Sequence, residues 1–277
     1  MTRLYGSAPW LADEVAQRRC LFVCGLPGVG KSLLLRHLVE LATARNRTAH
    51  LLRWDVARGG FETPDVMARY PEVDGVTHAA IRLAVGAWAR QAVHAWDVAH
   101  VGPRHVLIGE LPLVGNRLSE LAHRATDGAE PLLAGPGSLF LVPVPTVQVR
   151  QAIERARTRE MTDPRHEQDA ANAPPMLVTS LWDEVNAVAA KLGVPPAEGA
   201  DYDPRVYTAV YRRVLRHRDV RVAPIESVWD VDDSPHALGA EVCELAPEAS
   251  AVAKHLGPDG VLNPREMESR VNEWWRG

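Results

Sequence analysis

The sequence predicts an α/β fold in which a parallel sheet of about five strands is covered by helices on both faces. Two observations lead to this prediction: short apolar runs alternate with longer segments of helical periodicity, and a glycine-rich loop joins the first run to the first helix. The chain has 277 residues, 46% hydrophobic and 24% charged, which is enough to bury a substantial core. We therefore expect a single domain spanning 1–277.

The strands are predicted from short apolar runs. The unbroken apolar run "CLFVC" predicts a short buried strand. The other predicted strands contain, in order, "RTAHLLRW", "RHVLIGE", "SLFLVPVP" and "DVRVAPI". The five predicted strands are 19–24, 47–54, 104–110, 138–145 and 219–225.

The helices are predicted from apolar periodicity and from capping residues. Leu34, Leu38 and Leu41 share one face of a helix over 31–45, and Asp203 with Pro204 is typical of a helix start. The other predicted helices are 77–97, 176–192, Pro204 to about 217, and a C-terminal amphipathic helix. A loop rich in Gly and Pro is expected over 55–75.

The loop after the first strand matches the phosphate-binding motif G-x-x-x-x-G-K-[S/T]. Glycines allow its backbone N–H groups to turn towards an anion. Lys31 can contact the β- and γ-phosphates, and the Ser32 hydroxyl can ligate Mg²⁺. Because the N-terminus of the next helix also favours negative charge, the motif predicts binding of a nucleoside triphosphate. The predicted nucleotide-binding residues are Gly25, Pro27, Gly28, Val29, Gly30, Lys31, Ser32 and Leu33.

Composition narrows the class of protein further. The net charge of −4 argues against a general nucleic-acid binder. We find no apolar run of about 18 residues, as a membrane span needs, and no signal-peptide core in 1–18. The three cysteines, Cys20, Cys24 and Cys243, have neither metal-site nor disulfide spacing. A cytoplasmic protein without a membrane partner is expected.

With its glycine-rich loop and the acidic and basic residues described next, the chain resembles the P-loop kinases over about 19–225. The resemblance implies a three-layer P-loop fold with strand order 2-3-1-4-5. It also implies transfer of the γ-phosphate of Mg-ATP to a hydroxyl or phosphate of a small-molecule or nucleotide-like acceptor. The implied subdivisions are an acceptor-side insertion at about 55–100, an arginine-rich lid at about 147–174 and a C-terminal helical extension at about 227–277.

Asp55 is the first residue that favours a kinase. It follows the second strand, where a carboxylate points into the ligand crevice of a parallel sheet. In the kinases that the chain resembles, a similar residue contacts the acceptor hydroxyl and can act as base. Arg58, one helical turn later, suits an anionic or polar acceptor. The structural alternative is that Asp55 caps the following turn.

Glu110 ends the apolar run "VLIGE" and resembles the Walker B carboxylate, which holds Mg²⁺ directly or through water. The run departs from the usual pattern, with Gly before the acid and Glu instead of Asp. A metal, base or acceptor role for Glu110 therefore stays open, as does the choice between Asp55 and Glu110 as base. Asn116 and Arg117 follow in a loop that can contact the substrate, or that is simply solvated.

An arginine-rich segment follows the fourth strand and resembles a kinase lid. Guanidinium groups match the charge that spreads over the γ-phosphoryl oxygens in the transition state. The alternative is a solvated helix in which Glu154 and Glu160 pair with these arginines. The arginines of the segment are Arg150, Arg155, Arg157, Arg159 and Arg165, of which Arg155, Arg157 and Arg159 are the predicted catalytic residues.

Two other functions remain as alternatives. One is an NTP-hydrolysing switch or motor, although the chain lacks the paired D-E of the additional-strand ATPases and the N/T-K-x-D of GTPases. The other is a non-catalytic nucleotide-binding regulator. A polynucleotide end is an alternative acceptor. The basic run 211–221 could be a surface for a polynucleotide or a phosphorylated protein, although cations there also suit a helix C-terminus. The sequence leaves the oligomeric state and the choice between ATP and GTP open.

Overall fold

Six strands form one parallel sheet in the computed structural model, which describes residues 9–162, 175–198, 201–227, 237–238, 240–257 and 263–277. From one edge to the other, the order is β6-β2-β3-β1-β4-β5. The strands are β1 Cys20–Cys24, β2 Thr48–Arg53, β3 His105–Leu111, β4 Ser138–Pro145, β5 Val220–Ile225 and β6 Cys243–Glu244.

Helices connect successive strands and lie against both faces of the sheet. In chain order they are α1 Pro9–Gln17, α2 Lys31–Thr43, α3 Trp54–Phe61, α4 Pro64–Arg69, α5 Ala79–Ala99, α6 Glu130–Leu133, α7 Val147–Thr162, α8 Pro175–Lys191, α9 Pro204–Val214, α10 Ala249–Leu256 and α11 Pro264–Asn272. A single 3-10 turn, Ser119–Leu121, follows β3. No helix in these described ranges is long and apolar enough to cross a bilayer.

Alternation along β1 divides the core between the two faces. Leu21 and Val23 pack with α1 and α2, whereas Cys20, Phe22 and Cys24 pack with α5 and α9. Because both faces are covered, β1 is buried along its whole length and has the continuous apolar sequence expected of a central parallel strand.

Two parts of the prediction are corrected. The sheet has six strands rather than about five, since β6 lies outside β2 and comes from the region expected to be a helical extension. The loop expected over 55–75 contains α3 and α4. Helix α3 forms despite Gly59 and Gly60 because Trp54, Ala57 and Phe61 on it are buried in the core.

Candidate functional site

The glycine-rich loop lies at the carboxyl ends of the central strands, between β1 and α2. The Gly25 N–H donates to the Leu111 carbonyl at 3.1 Å, which ties the start of the loop to the end of β3. Gly28 and Gly30 have φ angles of 77° and 85°, which side-chain-bearing residues rarely adopt. No side chain caps the N-terminus of α2, so its first N–H groups face the loop.

Lys31, Ser32 and Glu110 converge beside this loop. Lys31 Nζ donates to the Leu26 carbonyl at 3.0 Å and lies 3.6 Å from Glu110 Oε1. The Ser32 hydroxyl donates to the same carboxylate oxygen at 3.5 Å. Lys31 is only 7% exposed, so its charge is held at the base of the site. A cation, a hydroxyl and a carboxylate, from two separate segments, therefore meet at one point.

The other predicted loop residues differ in burial. Val29 is fully buried, whereas Pro27 and Leu33 are partly exposed. Val29 packs against the start of the loop, since one of its methyl groups lies 2.8 Å from the position of a Cβ at Gly25.

Tyr207, on α9, closes the loop on the opposite side. A Cβ at Gly25 would collide with the Tyr207 hydroxyl, so only glycine fits there. Tyr207 is fully buried, and its hydroxyl has no hydrogen-bond partner among the described residues. Burial raises the pKa of Tyr207 well above its usual value, which keeps the hydroxyl protonated. A neutral donor is therefore aimed at the first glycine of the loop.

The glycine that precedes Glu110 has a packing reason. Gly109 pairs in register with Phe22 of β1, and a Cβ at this position would lie 2.5 Å from the Phe22 ring. The glycine at this position, which departs from the usual Walker B pattern, is therefore required by an aromatic residue in the neighbouring strand.

Asp55 lies in the first turn of α3, two residues beyond Arg53, whose register partner in β3 is Glu110. Its side chain is 77% exposed and lies 3.9 Å from Arg58. Arg58 also lies 3.6 Å from Glu62 and 3.7 Å from Glu72. Asp55 thus lies at the same carboxyl-terminal end of the strands as Glu110. Arg58 has three carboxylates within 4 Å, those of Asp55, Glu62 and Glu72.

Asn116 and Arg117 are buried, so the alternative of a solvated loop is wrong for both. The Asn116 amide donates to Glu120 at 2.7 Å and accepts from the Ser119 hydroxyl at 2.6 Å, which occupies it within its own loop. Arg117 donates to the Val114 carbonyl at 2.9 Å.

A second arginine, Arg82 on α5, faces Arg117 across Gly115. The Nη1 atoms of Arg117 and Arg82 lie 2.8 Å and 3.2 Å from the position of a Cβ at Gly115. Burial, followed by the charge of Arg117, lowers the pKa of Arg82 to about 10, and Glu184 opposes this shift. This pair of like charges was missed from the sequence because the two arginines are 35 positions apart, with no motif between them.

Helix α7 separates the predicted lid arginines. Arg155 and Arg159 are exposed, while Arg150 is 3% exposed and pairs with Glu154 at 2.6 Å. The Arg157 side chain and all of 163–174, including Arg165, lie outside the described residues. Closure of this segment over a nucleotide therefore stays a prediction.

Arg150 is the lid-segment residue that sequence reasoning did not select. Its guanidinium lies 4.4 Å from the centre of the Tyr202 ring. The Tyr202 and Tyr207 rings pack at a tilt, with centres 5.5 Å apart, so Arg150 is connected to the glycine-rich loop through aromatic rings. Its Nη1 is buried without a hydrogen-bond partner among the described residues. Its position directly after β4 was the only signal in the sequence.

Comparison with protein-family models, with curated proteins and with solved structures returned no match.

Proposed function

We propose that the chain is a P-loop phosphotransferase that moves the γ-phosphate of Mg-ATP to a hydroxyl or phosphate of a small-molecule or nucleotide-like acceptor. The observation that carries the proposal is the convergence of Lys31, Ser32 and Glu110 at the uncapped N-terminus of α2. Lysine, hydroxyl and carboxylate are the groups that phosphoryl transfer requires.

The loop fits the phosphates of a nucleotide. Gly28 and Gly30 have left-handed backbone conformations that allow the loop to turn its N–H groups towards an anion, and the first N–H groups of α2 have no side-chain cap. Lys31 now donates to a carbonyl of the loop itself, so its ammonium group is already oriented within the loop. The buried Tyr207 hydroxyl, which lacks a described partner, adds a neutral donor at the loop.

Ser32 and Glu110 fit Mg²⁺. Their oxygens lie 3.5 Å apart, and hydroxyl and carboxylate oxygens are ligands that Mg²⁺ accepts. When bound, the ion neutralises charge on the phosphates. Glu110 would also hold Lys31 in place through their 3.6 Å ion pair.

On the acceptor side, Asp55 is the proposed base. It lies just beyond β2, next to the strand that carries Glu110, and its exposed carboxylate is accessible to an acceptor hydroxyl. Arg58, Asn116 and Arg117 line the same side. Arg58 and Arg117 are the proposed acceptor contacts, and Asn116 orders the loop that presents Arg117. Arg155, Arg157 and Arg159 remain the proposed lid residues.

Transfer of label from γ-labelled ATP to a panel of nucleosides, sugars, vitamins and RNA ends tests the proposal. GTP is tested in parallel. A labelled acceptor supports the kinase. Free phosphate alone would indicate the hydrolase, and binding without turnover would indicate the regulator.

Lys31→Ala is the matched variant for this assay. It should abolish transfer and weaken Mg-ATP binding, because it removes the only side-chain cation at the base of the described loop. Lys191→Ala, at an exposed position at the end of α8, is the control and should leave both unchanged. Unchanged Mg-ATP affinity in Lys31→Ala, measured by calorimetry, would refute the nucleotide site.

A further inference from the structure

Three histidines from separate elements meet at the end of the sheet where β2 and β3 begin. His50 belongs to β2, His105 begins β3, and His100 follows the last residue of α5. One ring nitrogen from each lies within 4.8 Å of the others, and among the described residues this is the one group with metal-ligand spacing. His50 Nε2 and His105 Nδ1 are 3.1 Å apart.

The shortest of these separations is close to the distance between two ligands of one metal ion. Zinc binds imidazole nitrogen at about 2.0–2.1 Å in tetrahedral geometry, so two ligand nitrogens lie about 3.4 Å apart. The pair of His50 and His105 is already near this value, at 3.1 Å. The other ring nitrogens of the group lie within 4.8 Å of one another, so they would move closer by up to about 1.4 Å when an ion binds.

Hydrogen bonding determines which ring nitrogens of these histidines are protonated and which carry a lone pair. His100 Nδ1 lies 3.1 Å from the Trp96 carbonyl, which can only accept, so Nδ1 is protonated and Nε2 carries the lone pair. Metal-binding histidines commonly make this bond to a carbonyl with their second nitrogen. Between His50 and His105 one nitrogen donates to the other at 3.1 Å. For both nitrogens to bind a cation, the donating ring would adopt its other tautomer, with the proton on its second nitrogen.

The surroundings select the class of cation. Arg19 donates to the His100 carbonyl at 3.0 Å, and Arg47 donates to the His105 carbonyl at 2.6 Å. The absence of a carboxylate from this described group disfavours Mg²⁺ and Ca²⁺, which need oxygen ligands.

We propose that His50, His100 and His105 bind a transition-metal dication of the zinc type, with the fourth position open. His105 and Glu110 are five residues apart on β3, about 16 Å at the usual strand rise, so the ion would lie far from the phosphate site. The ion would cross-link β2, β3 and the end of α5. The proposal is independent of the proposed kinase activity.

Calorimetric titration with ZnCl₂ tests this site, using full-length, tag-free protein without nucleotide. The protein carries Cys243→Ser, because Cys243 is exposed and pairs in register with His50, so its thiol could bind zinc itself. We expect one equivalent of zinc to bind, and excess Mg²⁺ not to displace it. Absence of zinc binding, or displacement by Mg²⁺, would overturn the proposal.

Variants of the two partly exposed ligands identify the site. His100→Gln and His105→Gln should each lower zinc affinity by at least about 100-fold, since loss of a second-shell partner alone costs 10–100-fold. His217→Gln, which changes a partly exposed histidine outside the cluster, should bind zinc as the parent does. Unchanged zinc affinity in both ligand variants would mean that the three rings only pack together. Circular dichroism confirms that each variant is folded.

Discussion

The carboxylate of Glu130 lies between two buried guanidinium groups, and its removal should destabilise the fold strongly. Glu130 pairs with Arg218 at 2.9 Å and with Arg90 at 2.8 Å. The Arg218 side chain is fully buried, whereas Arg90 also pairs with Asp127 at 2.6 Å. Glu130→Gln would therefore leave Arg218 as the main uncompensated charge.

The expected cost follows from this geometry. Removing one partner of a buried ion pair costs about 3–5 kcal/mol, because the other charge stays buried. Arg90 keeps Asp127, and glutamine still accepts one hydrogen bond, so we expect a loss near the lower end, about 3 kcal/mol. Glu273→Gln, which breaks an exposed pair with Arg276, is the control and should cost less than about 1 kcal/mol.

Urea unfolding of the parent, Glu130→Gln, Arg218→Met and the double variant measures the pair directly. The double variant should recover much of the loss, because the fully buried Arg218 charge is then gone and Arg90 keeps its pair with Asp127. The effect should also depend on pH. Burial raises the pKa of Glu130, but hydrogen bonds from Arg218 and Arg90 outweigh it and hold the pKa below its usual value. The stabilisation is therefore present at neutral pH and is lost as pH falls through the folded-state pKa.

Either of two results would refute a strong contribution of the Glu130–Arg218 pair to stability. One is a Glu130→Gln variant within about 1 kcal/mol of the parent, the cost expected of an exposed pair. The other is a double variant whose loss equals the sum of the two single losses, because independent sites are additive. A confirmed result would identify this network as the anchor of the loop that carries Asn116 and Arg117.

Three further predictions concern the site and its surroundings. Burial raises the pKa of Glu120 from 4.5 to about 7, so this carboxyl loses its proton at a lower pH in the unfolded state than in the folded state. The free energy of unfolding should therefore fall by about 3 kcal/mol as pH rises from 4.5 to 7. Urea unfolding at several pH values should show this fall in the parent and not in Glu120→Gln; parallel profiles would contradict it. Gly25→Ala should abolish Mg-ATP binding, and Tyr207→Phe should partly restore it in the double variant, because it removes the hydroxyl that a Cβ would strike. Calorimetry that finds normal binding in Gly25→Ala would exclude this steric explanation. Asp55→Asn should keep ATP affinity but lower kcat by about 10²–10⁴-fold, and a near-normal kcat would move the base to Glu110.

The elements with strong local signals were predictable from sequence. The continuous apolar run of β1 and the leucine periodicity of α2 each mark a buried element, and the structure has both within two residues of the predicted bounds. The glycine motif between them placed Lys31 and Ser32 together. Their approach to Glu110 depends on β3 lying beside β1, which the resemblance implied and which the register shows.

What escaped prediction depends on contacts between distant segments. Arg150 is one arginine among several in its segment, and only burial against Tyr202 distinguishes it. His50 and His105 become neighbours because β2 pairs with β3, and His100 joins them only through the length of α5. Strand β6 has two residues and no local pattern, so its pairing with β2 decides its structure.

The position of β6 has a consequence for synthesis of the chain. Arg53 at the end of β2 and its partner Glu244 in β6 are 191 residues apart in sequence. At about 5–20 residues per second, a ribosome needs roughly 10–40 s to make the intervening chain. During that interval the outer edge of β2 has open N–H and C=O groups that can recruit a strand from another chain. Nascent or truncated chains that end before Cys243 should therefore be the species most prone to aggregation.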